Sequence, residues 1–258
     1  MVEKPQMQPP EERPFVVPCA QLSLDAPWRW LRLGWQDFMR APRLSLIFGI
    51  VIMLVSVAVS ALAWSLGRFA LLAALLSGFV FVAPLIAVGL YCVSRELDAG
   101  RTPSLRQSFV LARRVAGQAG IFALAQLVIL LVWSRAGMML SAFFPVDAND
   151  TAMLFEYLAY GSAIGTVFAA LTFATAAVSL PMIADRDVDM ITACISSINA
   201  VLRNKPAMLL WAVLIAVLTA VGLATAFVGL VVIMPWLAYA TWYAYRETLQ
   251  PGDWPMLD

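Results

Sequence analysis

The sequence predicts an all-α, polytopic membrane protein with six transmembrane helices, arranged as three related hairpins that are each introduced by an amphipathic helix. Composition is the first reason: 62% of the residues are hydrophobic and 13% are charged, whereas a soluble domain is nearer half apolar and a quarter charged. Long apolar runs, each near the roughly 20 residues that a spanning helix needs, are the second. The third is that basic residues concentrate in alternate connecting segments.

Six apolar runs are predicted to cross the membrane, within a membrane domain over 27–250. They lie at about 44–66, 69–93, 117–140, 156–184, 207–226 and 229–246. The last two runs could instead form one bent helix, which would leave five spans. Such a helix would be about 58 Å long at 1.5 Å per residue, far more than a bilayer requires. We therefore expect a tight turn at Phe227–Gly229.

The two ends of the chain lie outside this domain. Met1–Ala26 is rich in Pro, Gln and Glu and has no apolar run, which predicts a disordered tail. It does not resemble a signal peptide, because no short apolar segment follows a basic start. Residues 251–258 are expected to form a short C-terminal tail.

The basic residues predict the orientation. They cluster before the first predicted span, between the second and third, between the fourth and fifth, and after the sixth, while the alternate segments hold only Arg68 and Arg135. An excess of Lys and Arg marks the cytoplasmic side. Both termini are therefore predicted to be cytoplasmic, and the chain is predicted to lie in an inner membrane. The three cysteines would then stay reduced at or near the cytoplasmic face, and no CxxC pair indicates a metal or redox site.

Three segments, Pro27–Arg40, Pro103–Ala116 and Met190–Arg203, have the periodicity of amphipathic helices. Their predicted apolar faces are Trp28, Leu31, Trp35 and Phe38 in the first, Leu105, Phe109 and Ala112 in the second, and Ile191, Ile195, Ile198 and Leu202 in the third. Thr102 and Asp189 are the expected N-caps of the second and third. Such helices lie in the membrane interface, with the apolar side toward the acyl chains.

Basic residues next to the predicted spans are candidate interfacial anchors, because their side chains can reach lipid phosphates. They are Arg40, Arg43, Arg95, Arg113, Arg114, Arg186, Arg203, Lys205 and Arg246. Because basic flanks occur in nearly all membrane proteins, serving only to fix the topology is the favoured interpretation. The even-numbered spans carry Pro84, Pro181 and Pro235, which are candidate helix hinges or inherited packing features.

The chain has one internal repeat that could have marked a paired site. Pro84 and Pro235 are each followed eleven residues later by Arg-Glu, at Arg95-Glu96 and at Arg246-Glu247. Pro181 reaches Asp185-Arg186 after only four residues, so the spacing is not shared by all three even spans. We interpret the pattern as a trace of hairpin duplication.

The predicted spans contain few polar residues that could form a functional site. Gln126 is a candidate intramembrane polar contact, more typical of a hydrogen bond between helices than of a substrate site. Gly161 and Gly165 form a GxxxG pattern that favours an intramolecular helix contact. Asp185, Asp187 and Asp189 could bind a divalent cation, but they lack the ligand spacing of a calcium loop, and helix capping is the favoured interpretation. The sequence therefore predicts no catalytic, cofactor or metal site.

Three blocks of sequence carry a resemblance to a known family. They are Trp30–Phe38, Ser179–Asp189 with its Asp-Arg-Asp-Val-Asp run, and Gly229–Arg246 with Pro235 and the run Ala-Thr-Trp-Tyr-Ala-Tyr-Arg. Together they resemble the DUF2189 family of predicted bacterial integral membrane proteins, over about residues 28–247. The resemblance implies a bacterial inner-membrane protein and no particular activity. Members often have His where this chain has Tyr239 and Tyr243.

The functional expectation is a non-enzymatic scaffold or accessory protein of the membrane or envelope. The alternative is a transporter or channel for an apolar or lipid-like substrate, and an intramembrane enzyme has the least support. A haem–copper oxidase core subunit, a label that some members of this family carry, is argued against because the chain has no His to hold haem or copper. The expected partners are the lipid bilayer and a membrane protein or a second copy of the chain, with no nucleic acid.

Overall fold

The structure, a computed structural model, describes residues 14–66, 85–143 and 151–257. Within these ranges the chain forms ten helices. They are α1 (Ala26–Arg40), α2 (Pro42–Leu66), α3 (85–98), α4 (Leu105–Arg114), α5 (Ala116–Phe143), α6 (Thr151–Ala176), α7 (Ser179–Asp185), α8 (Met190–Arg203), α9 (Lys205–Ala224) and α10 (Leu230–Thr248). The amphipathic helices α1, α4 and α8 each carry arginine in the last turn, at Arg40, at Arg113 and Arg114, and at Arg203. We call the end of the molecule where these helices lie the basic end.

Four stretches within the described ranges are long and apolar enough to cross a membrane. They are Pro42–Leu62, Ala116–Leu140, Phe155–Asp185 and Lys205–Ala224. The second predicted span, about 69–93, falls mostly on residues 67–84, outside the described residues. The sixth, 229–246, corresponds to α10, whose second half holds aromatic and charged residues that lower its hydropathy. The all-α membrane architecture is thus supported, while six spans in three hairpins stay a prediction.

Helix α10 forms the centre of the fold. It packs chiefly against α1 and α2, and Trp242, Tyr239 and Tyr245 are among the largest fully buried side chains of the described chain. Two glycines permit this packing. A Cβ at Gly34 of α1 would lie 2.6 Å from the backbone nitrogen of Ala240, and Gly49 makes an even closer approach from α2. The helices therefore meet backbone to backbone.

The chain turns between α9 and α10 at 225–229. Ala226 and Phe227 have φ angles of 51° and 69° there, which reverse the chain within five residues. The Thr225 hydroxyl accepts a hydrogen bond from the Gly229 backbone N–H at 2.8 Å and donates one to the Gly222 carbonyl at 2.8 Å. The apolar run from 207 to 245 is therefore two helices and not one bent helix.

The amphipathic helices form where the periodicity predicts them, but they bury a different face. In α1, Trp28 and Trp35 are 56% and 41% exposed, while Trp30, Gly34 and Asp37 are buried. Of the expected apolar face, only Leu31 and Phe38 are buried. An apolar side chain of a surface helix in a membrane protein can face lipid, so the protein side of α1 includes the small Gly34 and the polar Asp37 beside its buried apolar residues.

The same inversion recurs in the other two amphipathic helices. In α4, Phe109 is 70% exposed and the buried residues are Ser108 and Leu111. In α8, Ile191 and Leu202 are exposed. Its buried residues are mostly small or polar: Thr192, Ala193, Cys194, Ser196, Ser197 and Ala200.

One of the two predicted N-caps is correct. Asp189 caps α8 by accepting from the Thr192 backbone N–H at 2.9 Å. Helix α4 is capped by Ser104, which accepts from the Gln107 N–H, and not by Thr102. Ser104 has the extended backbone of a cap residue, and the helix accordingly begins at Leu105.

Both terminal segments pack onto the basic end. The N-terminal residues from 14 onward, which belong to the segment predicted as a disordered tail, include the fully buried Val17. The Val17 N–H donates to the Ser196 hydroxyl at 2.9 Å, and the Leu22 N–H donates to the Asn204 side chain at 2.8 Å. The prediction of disorder therefore does not hold for residues 14–26, because serine and asparagine side chains of α8 and its C-cap bind their backbone.

Candidate functional site

The buried carboxylate of Asp185 lies at the centre of a polar cluster at the basic end. Its Oδ2 accepts from the Tyr245 hydroxyl at 2.8 Å and from Arg186 Nε at 3.1 Å, and its Oδ1 lies 3.9 Å from Arg95 Nε. These four side chains, here called the Asp185 cluster, come from α7, the residue after it, α10 and α3. The Asp185 side chain is only 4% exposed, so the cluster links three helix ends away from water.

Two arginines of the Asp185 cluster also hold the C-terminal segment. Arg95 donates to the carbonyl oxygens of Ala184 and Leu257, and Arg186 donates to the Trp254 carbonyl at 2.8 Å. Both were predicted to be interfacial anchors. Their side chains are only 18% and 12% exposed, so they bind protein carbonyls and Asp185 and do not extend toward lipid.

The repeated Arg-Glu pairs connect spans to amphipathic segments. Glu96 accepts two hydrogen bonds from Arg101 and one from Gln107 of α4. Glu247 accepts from Arg29 and from the Trp30 indole of α1. Each glutamate thus ties the end of its helix to an amphipathic helix or to the loop before it, which agrees with an origin by duplication.

The arginines of these pairs serve the contacts between helix ends. Arg246 lies 3.6 Å from Asp98 at the end of α3, and Arg95 belongs to the Asp185 cluster. Helices α3, α7 and α10 are therefore joined pairwise at the basic end, by Arg95 with Asp185, by Tyr245 with Asp185 and by Arg246 with Asp98.

A second buried carboxylate, Asp37, lies on the protein side of α1. Its Oδ2 accepts from the hydroxyls of Ser94 and Tyr243 at 2.8 and 2.9 Å, while Oδ1 is buried without a hydrogen bond. The exposed guanidinium of Arg40 lies 3.7 Å from Oδ1. Burial raises the pKa of the Asp37 carboxyl above its ordinary value, against the lowering effect of the two hydroxyls.

The three prolines differ in their surroundings. Pro84 lies outside the described residues. Pro181 follows a break at 177–178 between α6 and α7. The buried Ser197 of α8 hydrogen-bonds the backbone on both sides of this break: it donates to the Ala174 carbonyl at 2.8 Å and accepts from the Val178 N–H. Side-chain hydrogen bonds of this kind replace the missing helical ones and permit a broken helix inside a membrane.

Pro235 lies within the continuous helix α10. Proline has no N–H, so it leaves the carbonyl of the residue four positions earlier, Val231, without its helical partner. Gly49 of α2 packs at that carbonyl, since a Cβ on Gly49 would lie 1.9 Å from the Val231 oxygen. The proline therefore exposes a backbone oxygen where α2 approaches most closely.

The predicted intramembrane polar contact is a bond between two helices. Gln126 of α5 donates through Nε2 to the Thr175 hydroxyl of α6 at 3.0 Å. Gly161 and Gly165 also face α5, because a Cβ at these positions would lie 3.5 Å from Leu140 and 3.9 Å from Trp133. The GxxxG pattern is thus used within the chain.

The other predicted anchors lie at the surface. Arg40 and Arg246 are exposed although each faces a carboxylate. Arg43, Arg113, Arg114, Arg203 and Lys205 are exposed as well.

The acidic run after α7 does not converge on one point. Asp185 binds Tyr245 and the two arginines, Asp189 caps α8, and Asp187 is exposed. Among the described residues no group of three or more His, Cys, Asp or Glu could hold a metal ion. Cys19, Cys92 and Cys194 are free, and burial raises the pKa of the Cys194 thiol to about 11, which keeps it protonated.

Three tyrosines take part in the polar contacts of α10, and the sequence analysis did not predict a site role for any of them. Tyr239 and Tyr243 were noted because family members often have His there, and no contact was predicted for them. The structure bonds the Tyr239 hydroxyl to Ser45 at 2.9 Å and the Tyr243 hydroxyl to Asp37. Polar aromatic residues recurring on one face of α10 were the available signal.

Comparison with known proteins supports the family resemblance. The sequence profile of a family described as predicted integral membrane protein (DUF2189) matches residues 71–185. Searches of curated proteins and of solved structures each found no match. The matched part includes α3, α4, α5, α6 and α7 and ends at Asp185, the central residue of the Asp185 cluster.

Proposed function

We propose that this chain, an integral membrane protein similar to that family, is a non-enzymatic scaffold or accessory protein of a bacterial inner membrane. We also propose six spans in three hairpins, with both termini in the cytoplasm. The observation that carries the proposal is the use of buried charge at the basic end. Asp185 binds Arg95, Arg186 and the Tyr245 hydroxyl, and the two arginines donate to backbone carbonyls of the C-terminal segment.

The geometry of these groups favours a structural role over catalysis. A general acid or base needs a proton acceptor or donor from a substrate within hydrogen-bond reach. Both oxygens of Asp185 face protein cations or a hydroxyl, and the Gln126 side-chain nitrogen is bonded to the Thr175 hydroxyl. What this arrangement supplies is a fixed surface at the basic end, made of two terminal segments and three amphipathic helices, on which a partner could dock.

A second candidate function has one observation in its favour. An apolar cleft of about 500 Å³ lies between α2, α3 and α4, lined by Phe48, Leu85, Gly89, Phe109, Ala112 and Arg113 among others. A cavity of this size is within the range of small-molecule sites, about 300–1,000 Å³. The cleft supports contact with an apolar or lipid-like molecule, which a transporter would carry and a scaffold would only hold.

The orientation can be tested with two single-cysteine variants of a cysteine-free chain. Asp253→Cys, in the exposed part of the C-terminal segment, is expected to react with an impermeant maleimide only after the inner membrane is opened. Val228 lies at the turn between α9 and α10 and is 63% exposed. Val228→Cys should therefore react in intact spheroplasts. The reverse labelling pattern would overturn the proposed topology.

The scaffold proposal is tested by isolation of the full-length protein from native membranes in mild detergent, followed by mass spectrometry. We expect a membrane protein in constant ratio to the chain. A matched variant with Arg203 and Lys205 changed to Gln, both exposed at the basic end, measures whether that surface holds the partner. Isolation of the chain with lipid alone, and without any protein in constant ratio, would contradict the scaffold and favour lipid handling.

A further inference from the structure

We propose that the cleft between α2, α3 and α4 binds an anionic phospholipid, with one acyl chain in the cleft and the phosphate at Arg113. The inference goes beyond a scaffold function and requires only that the chain lies in a bilayer. Almost all of the cleft's lining is apolar, and Arg113 is the one cationic residue among those that line it. An apolar slot with a single cation suits an amphiphile with an apolar chain and a negative head.

The depth of the cleft matches one leaflet of a bilayer. Phe48 lies six residues from the start of α2, and Gly89 nine residues from the end of α3, so at 1.5 Å per residue they lie about 9 and 14 Å from the basic end. Half of a bilayer's hydrocarbon core is about 15 Å thick. The cleft therefore extends from the amphipathic helix α4 toward the midplane, along the direction of an acyl chain.

The walls of the cleft offer no free polar group at the position of the chain. Ser108 is buried, and its hydroxyl donates to the Gly89 carbonyl at 2.9 Å. Gly89 has no side chain, and the Phe48 ring packs within 2.9 Å of where its Cβ would be. A polar ligand would gain no hydrogen bond from these walls, whereas an acyl chain needs none and can fill the cleft by van der Waals contact.

Arg113 has the surroundings of a headgroup contact. It lies in the last turn of α4, is exposed, and forms no ion pair with any residue that the structure describes. Leu105 and Phe109 on the same helix are 45% and 70% exposed, which places the apolar side of α4 toward lipid. The guanidinium can therefore meet a lipid phosphate at the interface.

Charge decides between a phospholipid and an apolar protein segment as the occupant. A transmembrane segment of a partner would leave Arg113 unmatched at the mouth of the cleft. An anionic phospholipid supplies the opposite charge and is present in the leaflet at high local concentration. We therefore assign the site to the lipid, and a peptide found in its place would be an outcome against the proposal.

The test uses the purified full-length protein in nanodiscs of phosphatidylglycerol and phosphatidylcholine, with bound lipid counted by native mass spectrometry after release into detergent. The chain is expected to retain one phosphatidylglycerol through stepwise delipidation. Arg113→Gln should lower its preference for phosphatidylglycerol over phosphatidylcholine by about fivefold, the factor expected for one cation at an anionic lipid surface. Ala112→Phe, which fills the cleft, should abolish retention of either lipid.

Two matched variants on α4 control for general effects. Arg106→Gln removes the same charge, and Val110→Phe adds the same ring, at exposed positions that do not line the cleft. Both should retain lipid like the parent protein, and loss in either would overturn the assignment. If Ala112→Phe does not reach the membrane, Ala112→Leu replaces it. Equal retention in Arg113→Gln, in a cleft-filling variant and in the parent would also refute the proposal.

Discussion

Helices α10 and α5 show opposite relations between hydropathy and burial. Ten of the nineteen residues of α10 are buried, although α10 is not apolar enough to count among the candidate spans. In α5 the candidate span Ala116–Leu140 is strongly apolar, yet only 17% of its most apolar window is buried. In these two helices the more apolar one is the more exposed, and the helix at the centre of the protein is one with low hydropathy.

The contrast follows from what drives packing in a membrane. Lipid tails are as apolar as leucine, so apolar surface gives helices no reason to leave the lipid. Close backbone contact and interhelical hydrogen bonds remain. Helix α10 has both, at Gly34 and Gly49 and through the hydroxyls of Tyr239, Tyr243 and Tyr245. Over much of its length α5 exposes apolar side chains and has few such contacts, among them Gln126 with Thr175.

The largest expected effect comes from the buried charge of Asp185, the last residue of α7, which accepts a hydrogen bond from Tyr245 of α10. Asp185→Ala should lower the free energy of unfolding by about 3–5 kcal/mol, because it leaves Arg95 and Arg186 buried without their carboxylate. The measurement is the thermal unfolding midpoint of the purified protein in detergent. Asp187→Ala, at the exposed position two residues later, is the control and should change stability by less than about 0.5 kcal/mol. Similar losses in both variants would show that the Asp185 cluster contributes nothing specific.

A pair of glycine substitutions tests the difference in backbone packing. Gly49→Ala should destabilise the protein by about 1–3 kcal/mol or more, since the new methyl group would overlap the Val231 carbonyl, which is backbone and cannot rotate away. Gly120→Ala in α5 has no atom within 4 Å of the added Cβ. It should be neutral or stabilising by up to about 1 kcal/mol, the helix preference of Ala over Gly. The comparison of α10 with α5 fails if the two variants shift the unfolding midpoint equally.

The sequence predicted helices better than it predicted their faces. The limits of α1 and α8 agree with the periodicity to within a residue, and Asp189 caps α8, because these features depend on neighbours along the chain. The side of each helix that faces protein could not be read from an apolar stripe. Lipid and protein interior both accept apolar residues, so Trp28 and Phe109 face outward while Gly34 and Ser108 face inward.

The polar clusters were the least predictable part of the molecule. Arg95 and Arg186 were expected at lipid phosphates because basic residues flank most spans. Their actual partners include the carbonyls of Leu257 and Trp254, more than 60 residues later in the chain. No local pattern encodes such a contact. It depends on how the C-terminal segment returns to the basic end.

The smallest expected effect concerns Asp37, where α1 meets α10, and it is a dependence on pH. Burial raises the pKa of this carboxyl in the folded state, while in the unfolded chain its pKa has the ordinary value of about 3.9. The folded state therefore binds more protons between the two values, and stability falls as pH rises through that window. The charged groups around it are Arg40, which opposes the shift, and Asp98, which adds to it.

Asp37→Asn should remove this loss of stability. The amide oxygen can still accept from Ser94 and Tyr243, so the variant should match the parent near pH 4 and exceed it at pH 7 by on the order of 1 kcal/mol or less. Ser94→Ala is expected to act in the opposite sense, because it removes a hydrogen bond to the charged carboxylate and makes the decline with pH steeper. Thermal midpoints of the three proteins between pH 4 and 8 measure this. Parallel profiles would mean that the Asp37 carboxylate is solvated through Arg40, and that the contact of α1 with α10 is less closed than its buried oxygen indicates.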